Sequence, residues 1–553
     1  MDLCQNAALS LNFLQKNCDR DGLPYFYTFF NDPAEARHQF WDYGEIPGRY
    51  LYGFAFAKQI LGLKKEFPAE KKIKKHLFRN FGQDGLNYYP AGKAFGIDLG
   101  LGHVAGLWEN RSIFMGLFMS RLLSGDELAG KYARGIVERI KQIAIRKNNG
   151  ECYFSEYFYP EGYKPDKRHK PYMGENIGGW ITPLERYFNY TKDEAALETA
   201  IGLSNFLVNN IKIDQRLYWQ GRFNTHSILF SLAGILRCAK HTHNKAHIQW
   251  VKKHFDWITS HAASSFGWVA EHPHRYKLRK NQTQSCEICA VVDAIDTAIL
   301  LAKLGYPEYW NMAERYGRNY LAEAQLNDVS WIKSTITKKN TALSAFDNIP
   351  ERIKGCFAGW GGVNDFINPD GRHGSATQNC CGPHGVLGTF LLWENILTKE
   401  QDNIYVNFAL NRRSAWADVI SYQPHAGKLS VIPRINANLF IRVPDWAQKD
   451  KIKVMLNDKN AKKAWKGPYL SIPGVNKEST LTVQYPLAQY CKSEKIEKKA
   501  YLTEWRGETA ISIKPEGKIC PLFKRETSSS DIKNIAKIPH AANTAGDRLQ
   551  CEW

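Results

Sequence analysis

The strongest constraint on this chain is a change of period near residue 400. Before it, apolar residues return every three or four positions in "GRYLYGFAFAKQILGL", "SIFMGLFMSRLLSG", "AALETAIGLSNFLVNNI", "THSILFSLAGILRCAK" and "CAVVDAIDTAILLAKLG", the spacing of one face of an α-helix. About twelve such segments are separated by loops rich in Gly, Pro, Asn and Tyr. After it, "KLSVIPRI", "ANLFIRVPDW", "KIKVMLND", "PYLSIPG" and "STLTVQYPL" are short, alternating and broken by Gly, Pro and Asn, the pattern of an antiparallel β-sandwich. The expected architecture is therefore mainly α with a β domain: residues 1–398 as an (α/α)6 toroid or barrel of paired helical hairpins, residues 399–525 as the sandwich, and the polar stretch 526–553 as a surface tail. A two-domain helical bundle is the competing arrangement. No strict repeat is present, which excludes a consensus solenoid.

Several classes are disfavoured. A chain of 553 residues with 44% hydrophobic and 23% charged residues is ordinary globular material. The formal net charge is +19, but no zinc finger, basic zipper or RNP-type motif accompanies it, so no nucleic-acid partner is expected. A solvated basic surface is the expected use of that charge, with attraction to an acidic polymer such as pectin as the alternative. Aromatics reach 13%, and exposed rings suit the apolar faces of sugars. No apolar run is long enough to span a bilayer, so no membrane partner is expected. The first residues, "MDLCQNAALSLNFLQKN", lack a basic leader and a small-residue cleavage site. The expected setting is the cytoplasm, with a processed secreted form as the alternative. The oligomeric state stays open, a homodimer being the candidate.

Twelve cysteines without regular spacing argue for reduced thiols or metal ligands rather than a disulfide framework. Two short blocks stand out. Cys286, Glu287 and Cys289 precede one helical run, and the adjacent pair Cys380 and Cys381 precedes another. Thiolates and a carboxylate are zinc ligands, and a helix N-terminus favours anions and lowers a thiol pKa. Spacing leaves two ligand sets open: Cys286, Cys289, Cys380 and Cys381, or Glu287, Cys289, Cys380 and Cys381.

These residues resemble a family. Glu287 and Cys289 in "CEIC", the later Cys-Cys pair, and Glu271 sixteen residues before Glu287 are similar to the motif set of the β-L-arabinofuranosidases of glycoside hydrolase family 127 and its relatives. "FWDYGEIPGRYLYGFA", "NLFIRVPDWA" and "LTEWRGETAISIKPEGKICPLF" are similar to further segments of that family. The resemblance implies a retaining glycoside hydrolase acting on plant-type glycans, with oligosaccharide or polysaccharide substrates. It implies Zn2+ held by Glu287, Cys289, Cys380 and Cys381, with Cys380 as nucleophile and Glu271 as acid/base. His103 and His226 open helical runs, as sugar-contacting histidines do in that family. Asp42 and Glu45 are further candidates for the substrate cavity, a helix cap or an ion pair with Arg49 being the alternative use. His272 and His274 flank Glu271 without an assigned role. Two departures stand out: Gly382-Pro383-His384 replaces a Pro-Pro-Asn type sequence, and the surroundings of Glu271 differ from the family's. The rival readings are a polysaccharide lyase of the α/α toroid type and a non-catalytic carbohydrate-binding protein with a structural zinc.

Overall fold

The structure is a computed structural model. It describes residues 2–90, 92–95, 97–98, 100–172, 174–213, 224–274 and 278–525; the expected tail at 526–553 lies outside the described residues. The helices, in chain order, are α1 (Leu3–Lys16), α2 (Glu45–Leu61), α3 (Pro68–Phe78), α4 (Leu107–Ser124), α5 (Glu127–Ile143), α6 (Gly174–Gly179), α7 (Ile181–Thr191), α8 (Glu194–Asn210), α9 (Thr225–Thr242), α10 (Lys245–Ala262), α11 (Ile288–Lys303), α12 (Tyr309–Tyr316), α13 (Ile349–Ile353) and α14 (Cys381–Asn395).

Counting α6 and α7 as one interrupted helix and setting aside the short α13, twelve helices among the described residues alternate between two layers. The inner layer closes: α2 packs on α4, α4 on α6 and α7, these on α9, α9 on α11, α11 on α14, and α14 on α2. The outer layer covers it, α1 and α3 lying on α2, α5 on α4, α8 on α7, α10 on α9 and α12 on α11. This is the expected α/α toroid. Burial explains the layering. In α2 sixteen of seventeen residues are buried, including Glu45, Arg49 and Lys58, whereas α10 hides only Val251, His254, Phe255, Ile258 and Ala262. A helix buried all round belongs inside a large domain, and one with a single apolar stripe belongs on its surface. Where α2 crosses α4, Gly48 and Gly116 leave no room for a side chain: a Cβ on either would fall 2.4 Å from the backbone of the other helix.

The last helix of the ring ends at Asn395 and strands begin at Leu397. Two sheets follow: a five-stranded sheet holding 397–400, 403–406, 437–442, 469–475 and 464–466, and a six-stranded sheet holding 412–413, 417–421, 428–433, 481–484, 453–456 and 459–460, each in that order. Leu439, Ile441 and Leu470 of the first sheet and Val419, Leu429, Val431, Leu481 and Val483 of the second are buried, as the inward positions of a sandwich should be. The expectation of antiparallel strands needs one correction. Strand 403–406 runs parallel to 437–442, because the six-stranded sheet's first three strands intervene between them in the chain. A three-stranded sheet, 489–496, 499–506 and 509–514, completes the C-terminal part. Among the described residues no helix is long and apolar enough to cross a membrane, and the described cysteines are all free.

Candidate active site

Five inner helices deliver their first residues to one place. Glu45 opens α2, Trp108 is the second residue of α4, His226 the second of α9, Glu287 and Cys380 cap α11 and α14, and Cys289 and Cys381 lie in the first turns of those two helices. The N-termini of the ring therefore converge, and their unpaired N–H groups make this end of the toroid favourable for anions. Short extended segments set the register. Strand 376–378 pairs with 27–29 and runs directly into Cys380. Cys286 pairs with both Ala270 and Gly361, which places the Glu271 segment beside the Glu287 segment.

Glu287, Cys289, Cys380 and Cys381 are buried and present ligand atoms within 4.8 Å of one another. The sulfurs of Cys289 and Cys381 are 3.5 Å apart, and Asn224 Nδ2 donates to Glu287 Oε2 at 3.3 Å. Of the two ligand sets open in the sequence, the one containing Glu287 is assembled. Burial pushes Glu287, Cys289 and Cys381 well above their usual ranges, the crowding of like groups adding to it. Cys380 goes the other way. Burial opposes its ionisation, but hydrogen bonds from Cys289 and Cys381 and the charge of Arg49 outweigh it and bring it down to about 6. Three sulfurs and a carboxylate with this spacing suit a divalent cation of the zinc type. Packed so closely away from water, they also need one to ionise together.

Cys286 points elsewhere, its thiol meeting Tyr320 and the backbone at Val269. Glu271 is 9% exposed. Its N–H donates to Ser285 and its carbonyl accepts from Thr225 N–H, both at 2.8 Å. Its Oε1 lies 3.3 Å from His373 Nε2 and 3.8 Å from His272 Nε2. Burial resists ionisation of Glu271, but the His373 hydrogen bond, His272 and Arg372 hold the carboxyl below its usual range. His373 is itself stacked on Trp360, centroids 3.6 Å apart and planes within 3°. Loop 272–274 is strapped by Gln284, whose amide donates to the carbonyls of His272 and His274.

His226 belongs to the cluster. Its Nδ1 bonds Asp293 Oδ2, and its Nε2 faces Arg49 Nη2 at 3.3 Å. A guanidinium can only donate, so Nε2 accepts and the ring proton sits on Nδ1. Asp293 also holds His384 Nε2 at 3.0 Å, and Tyr52 hydroxyl meets His384 Nδ1 at 3.0 Å. Glu45 forms the ion pair with Arg49, 2.8 Å, and accepts Trp108 Nε1–H at 2.8 Å. Asp42 has the anchoring use. Fully buried, it receives His38 Nδ1 at 2.8 Å and the N–H groups of Gln39 and Phe26, and burial lifts it to about 6 against those bonds. His103 is 49% exposed in its side chain, stacked on Tyr88 and 4.0 Å from Glu161; none of these contacts is with the cluster.

Sequence reasoning named Arg49 only as an ion-pair partner for Asp42 or Glu45, and it gave no site role to Asp293, His384, His373 or Trp108. Some local signal was present: Arg49 stands four residues after Glu45, the spacing of a helical ion pair, and Asp293 is a lone carboxylate on an otherwise apolar helix.

No protein-family model matches this chain, and no curated protein sequence does. Solved structures do. A family 127 β-L-arabinofuranosidase from Geobacillus stearothermophilus T6 superposes with a TM-score of 0.57 at 13% identity, over 91% of this chain and 80% of that one. A second family 127 β-arabinofuranosidase gives 0.58 at 15% identity, over 92% and 79%. A third structure, a glycoside hydrolase, gives 0.57 at 11% identity, over 90% and 85%. The fold is that of the family 127 β-L-arabinofuranosidases. The family 127 likeness spans both the helical ring and the sandwich. At such low identity it is a likeness of architecture, and the site rests on the residues themselves.

Proposed function

We propose that this protein is a retaining glycoside hydrolase of the β-L-arabinofuranosidase type, with Cys380 as nucleophile and Glu271 as acid/base. The observation that carries the reading is the assembly of Glu287, Cys289, Cys380 and Cys381 within 4.8 Å beside the Glu271 segment, in a chain with the family 127 fold. A zinc ion held by those four residues would keep the sulfurs deprotonated at neutral pH.

Retaining hydrolysis runs through two displacements at one carbon. In the first, Cys380 Sγ forms a bond to the anomeric carbon as the glycosidic C–O bond breaks, and Glu271 gives its proton to the departing oxygen. In the second, Glu271 takes a proton from water, the water oxygen bonds the anomeric carbon, and Sγ leaves with its electron pair. Free Glu271 is ionised by its histidine neighbours; a glycan that expels water from the pocket adds desolvation and raises the carboxyl toward the acid role. Half-buried Trp108 and the Glu45 carboxylate that accepts its indole N–H would meet the sugar, the carboxylate as a hydroxyl acceptor.

The test is a panel of nitrophenyl glycosides that includes the β-L-arabinofuranoside, with product configuration followed by NMR. Hydrolysis with retained configuration is expected. An inverted product, or undiminished activity in Cys380→Ser, would overturn the reading.

A further inference from the structure

Glu271 and Cys380 come from distant parts of the chain, and a short hydrogen-bonded ladder joins them. Glu271 N–H donates to the Ser285 carbonyl at 2.8 Å, and the next residue, Cys286, exchanges backbone hydrogen bonds with Gly361 at 2.8 and 2.9 Å. On the same segment Gly359 N–H donates to Thr377 Oγ1 at 2.7 Å, and Thr377 belongs to the strand that runs into Cys380. Trp360 stands between Gly359 and Gly361, in the middle of this ladder. His373 covers its indole, centroids 3.6 Å apart and planes within 3°. Tyr27, on the strand paired with 376–378, packs against the same indole at 5.8 Å.

His373 lies seven residues before Cys380 on one continuous segment, and its Nε2 is 3.3 Å from Glu271 Oε1. Among the described residues no other side chain is within hydrogen-bond distance of that carboxyl; His272 Nε2 is next, at 3.8 Å. The Glu271 side chain is 12% exposed and that of His373 19%, so the pair borders the opening rather than the core. An ionised carboxylate can only accept, so Nε2 carries the ring proton. The imidazole cannot turn without giving up its stack on the indole. The direction of this N–H is therefore set by Trp360.

We propose that His373 is the positioning residue of the acid/base: held flat by Trp360, it donates Nε2–H to Glu271 Oε1 and leaves Oε2 to exchange its proton with the glycosidic oxygen and then with water. The inference rests on Glu271 being the acid/base. As Oε2 gives its proton to the departing oxygen, negative charge grows on the carboxylate, and the bond from Nε2–H strengthens with it. An interaction that is stronger in the transition state than in the bound ground state raises turnover and leaves binding unchanged. Because Trp360 belongs to the ladder between Glu271 and the Cys380 strand, the same stack keeps the acid/base in register with the nucleophile.

The test is leaving-group dependence, measured for the native protein, His373→Phe, His373→Gln, Trp360→Leu and Glu271→Gln on aryl glycosides of graded leaving-group acidity and on an alkyl glycoside. His373→Phe keeps a ring on Trp360 and removes the donor. Its kcat is expected to fall about 10–100-fold on the alkyl glycoside, the usual worth of a hydrogen bond to a charged group, and little on dinitrophenyl substrates, with KM unchanged. His373→Gln, which still donates, is expected to recover part of the loss, and Trp360→Leu to show the same dependence in weaker form. Added to Glu271→Gln, His373→Phe is expected to cost nothing further. Carbodiimide labelling of Glu271, located by peptide mass spectrometry, needs no substrate. It is expected to be faster in His373→Phe, where His272 and Arg372 still face the carboxyl but the donor is gone. An equal loss across all leaving groups, a loss confined to KM, a full further loss in the Glu271→Gln background or unchanged labelling would each overturn the proposal. If His373→Phe does not fold, the comparison passes to His373→Leu and Trp360→Leu, and native leaving-group dependence in either overturns it. A Glu271→Gln loss that is the same for every leaving group removes the acid/base reading and this proposal with it. A leaving-group-dependent Glu271→Gln beside an indifferent His373→Phe overturns this proposal alone.

Discussion

The sulfurs of Cys289 and Cys381 lie 3.5 Å apart although 92 residues separate them in the chain. They meet because α11 and α14 are neighbours in the inner ring and each carries its cysteine in the first turn. The same closure that buries the apolar faces of these helices therefore concentrates thiols at their N-termini.

The first prediction concerns the two adjacent cysteines. Protein purified without added metal is expected to carry one zinc per chain. Cys380→Ser should lose activity while retaining part of the zinc, since three ligands remain. Cys381→Ser, whose thiol lies against Cys289, should lose zinc first and activity in proportion. Elemental analysis and turnover, measured on the same preparations, separate the two behaviours, and parallel loss in both variants would remove the distinction.

Glu271→Gln should lower turnover by about 10²–10⁴-fold, the usual worth of general acid–base help. The loss in the first step should shrink for nitrophenyl substrates, whose leaving groups need little protonation. Steady-state and pre-steady-state rates across a series of leaving groups provide the measurement; a small, uniform loss would remove Glu271 from the mechanism.

Glu109 gives a pH signature of stability. It is buried in the first turn of α4, with Tyr89 hydroxyl 2.5 Å and Tyr157 hydroxyl 2.9 Å from Oε1. Burial, opposed by the Tyr89 hydrogen bond, raises its carboxyl from 4.5 to about 7. Because the folded value lies above the unfolded one, the stability contributed by protonated Glu109 is complete below the unfolded value and is lost as pH rises through the folded one. The loss amounts to at most roughly 3 kcal/mol. Thermal melts between pH 4 and pH 8 should show native Tm falling relative to that of Glu109→Gln, and parallel curves would contradict the assignment.

Gly48→Ala should destabilise the helical ring. A methyl there runs into the backbone of Ser112 and Ile113, and backbone in a packed helix cannot turn aside as a side chain can. Overpacking of this kind costs about 1–3 kcal/mol. Urea unfolding is the check, with retained zinc indicating that the site survives in the molecules that remain folded.

Much of this protein is local information and is legible in its sequence. Helical and strand periods depend on neighbours a few residues apart, so the order of twelve ring helices followed by a sandwich can be read directly. So can the position of Glu287, Cys289, Cys380 and Cys381 at helix starts. Tertiary structure decided what the spacing left open. Cys286 and Glu287 are adjacent in an extended segment, where successive side chains leave on opposite faces. The pairing of Cys286 with Ala270 and Gly361 determines which face meets the ring's centre, and it sends the carboxylate there and the thiol toward Tyr320. Arg49, Asp293 and His384 entered the site, and His103 stayed on an exposed loop against Tyr88, for the same reason. Which polar side chains share a cavity depends on how six helices close on one another, and that closure is a sum of long-range contacts that no short stretch of sequence contains.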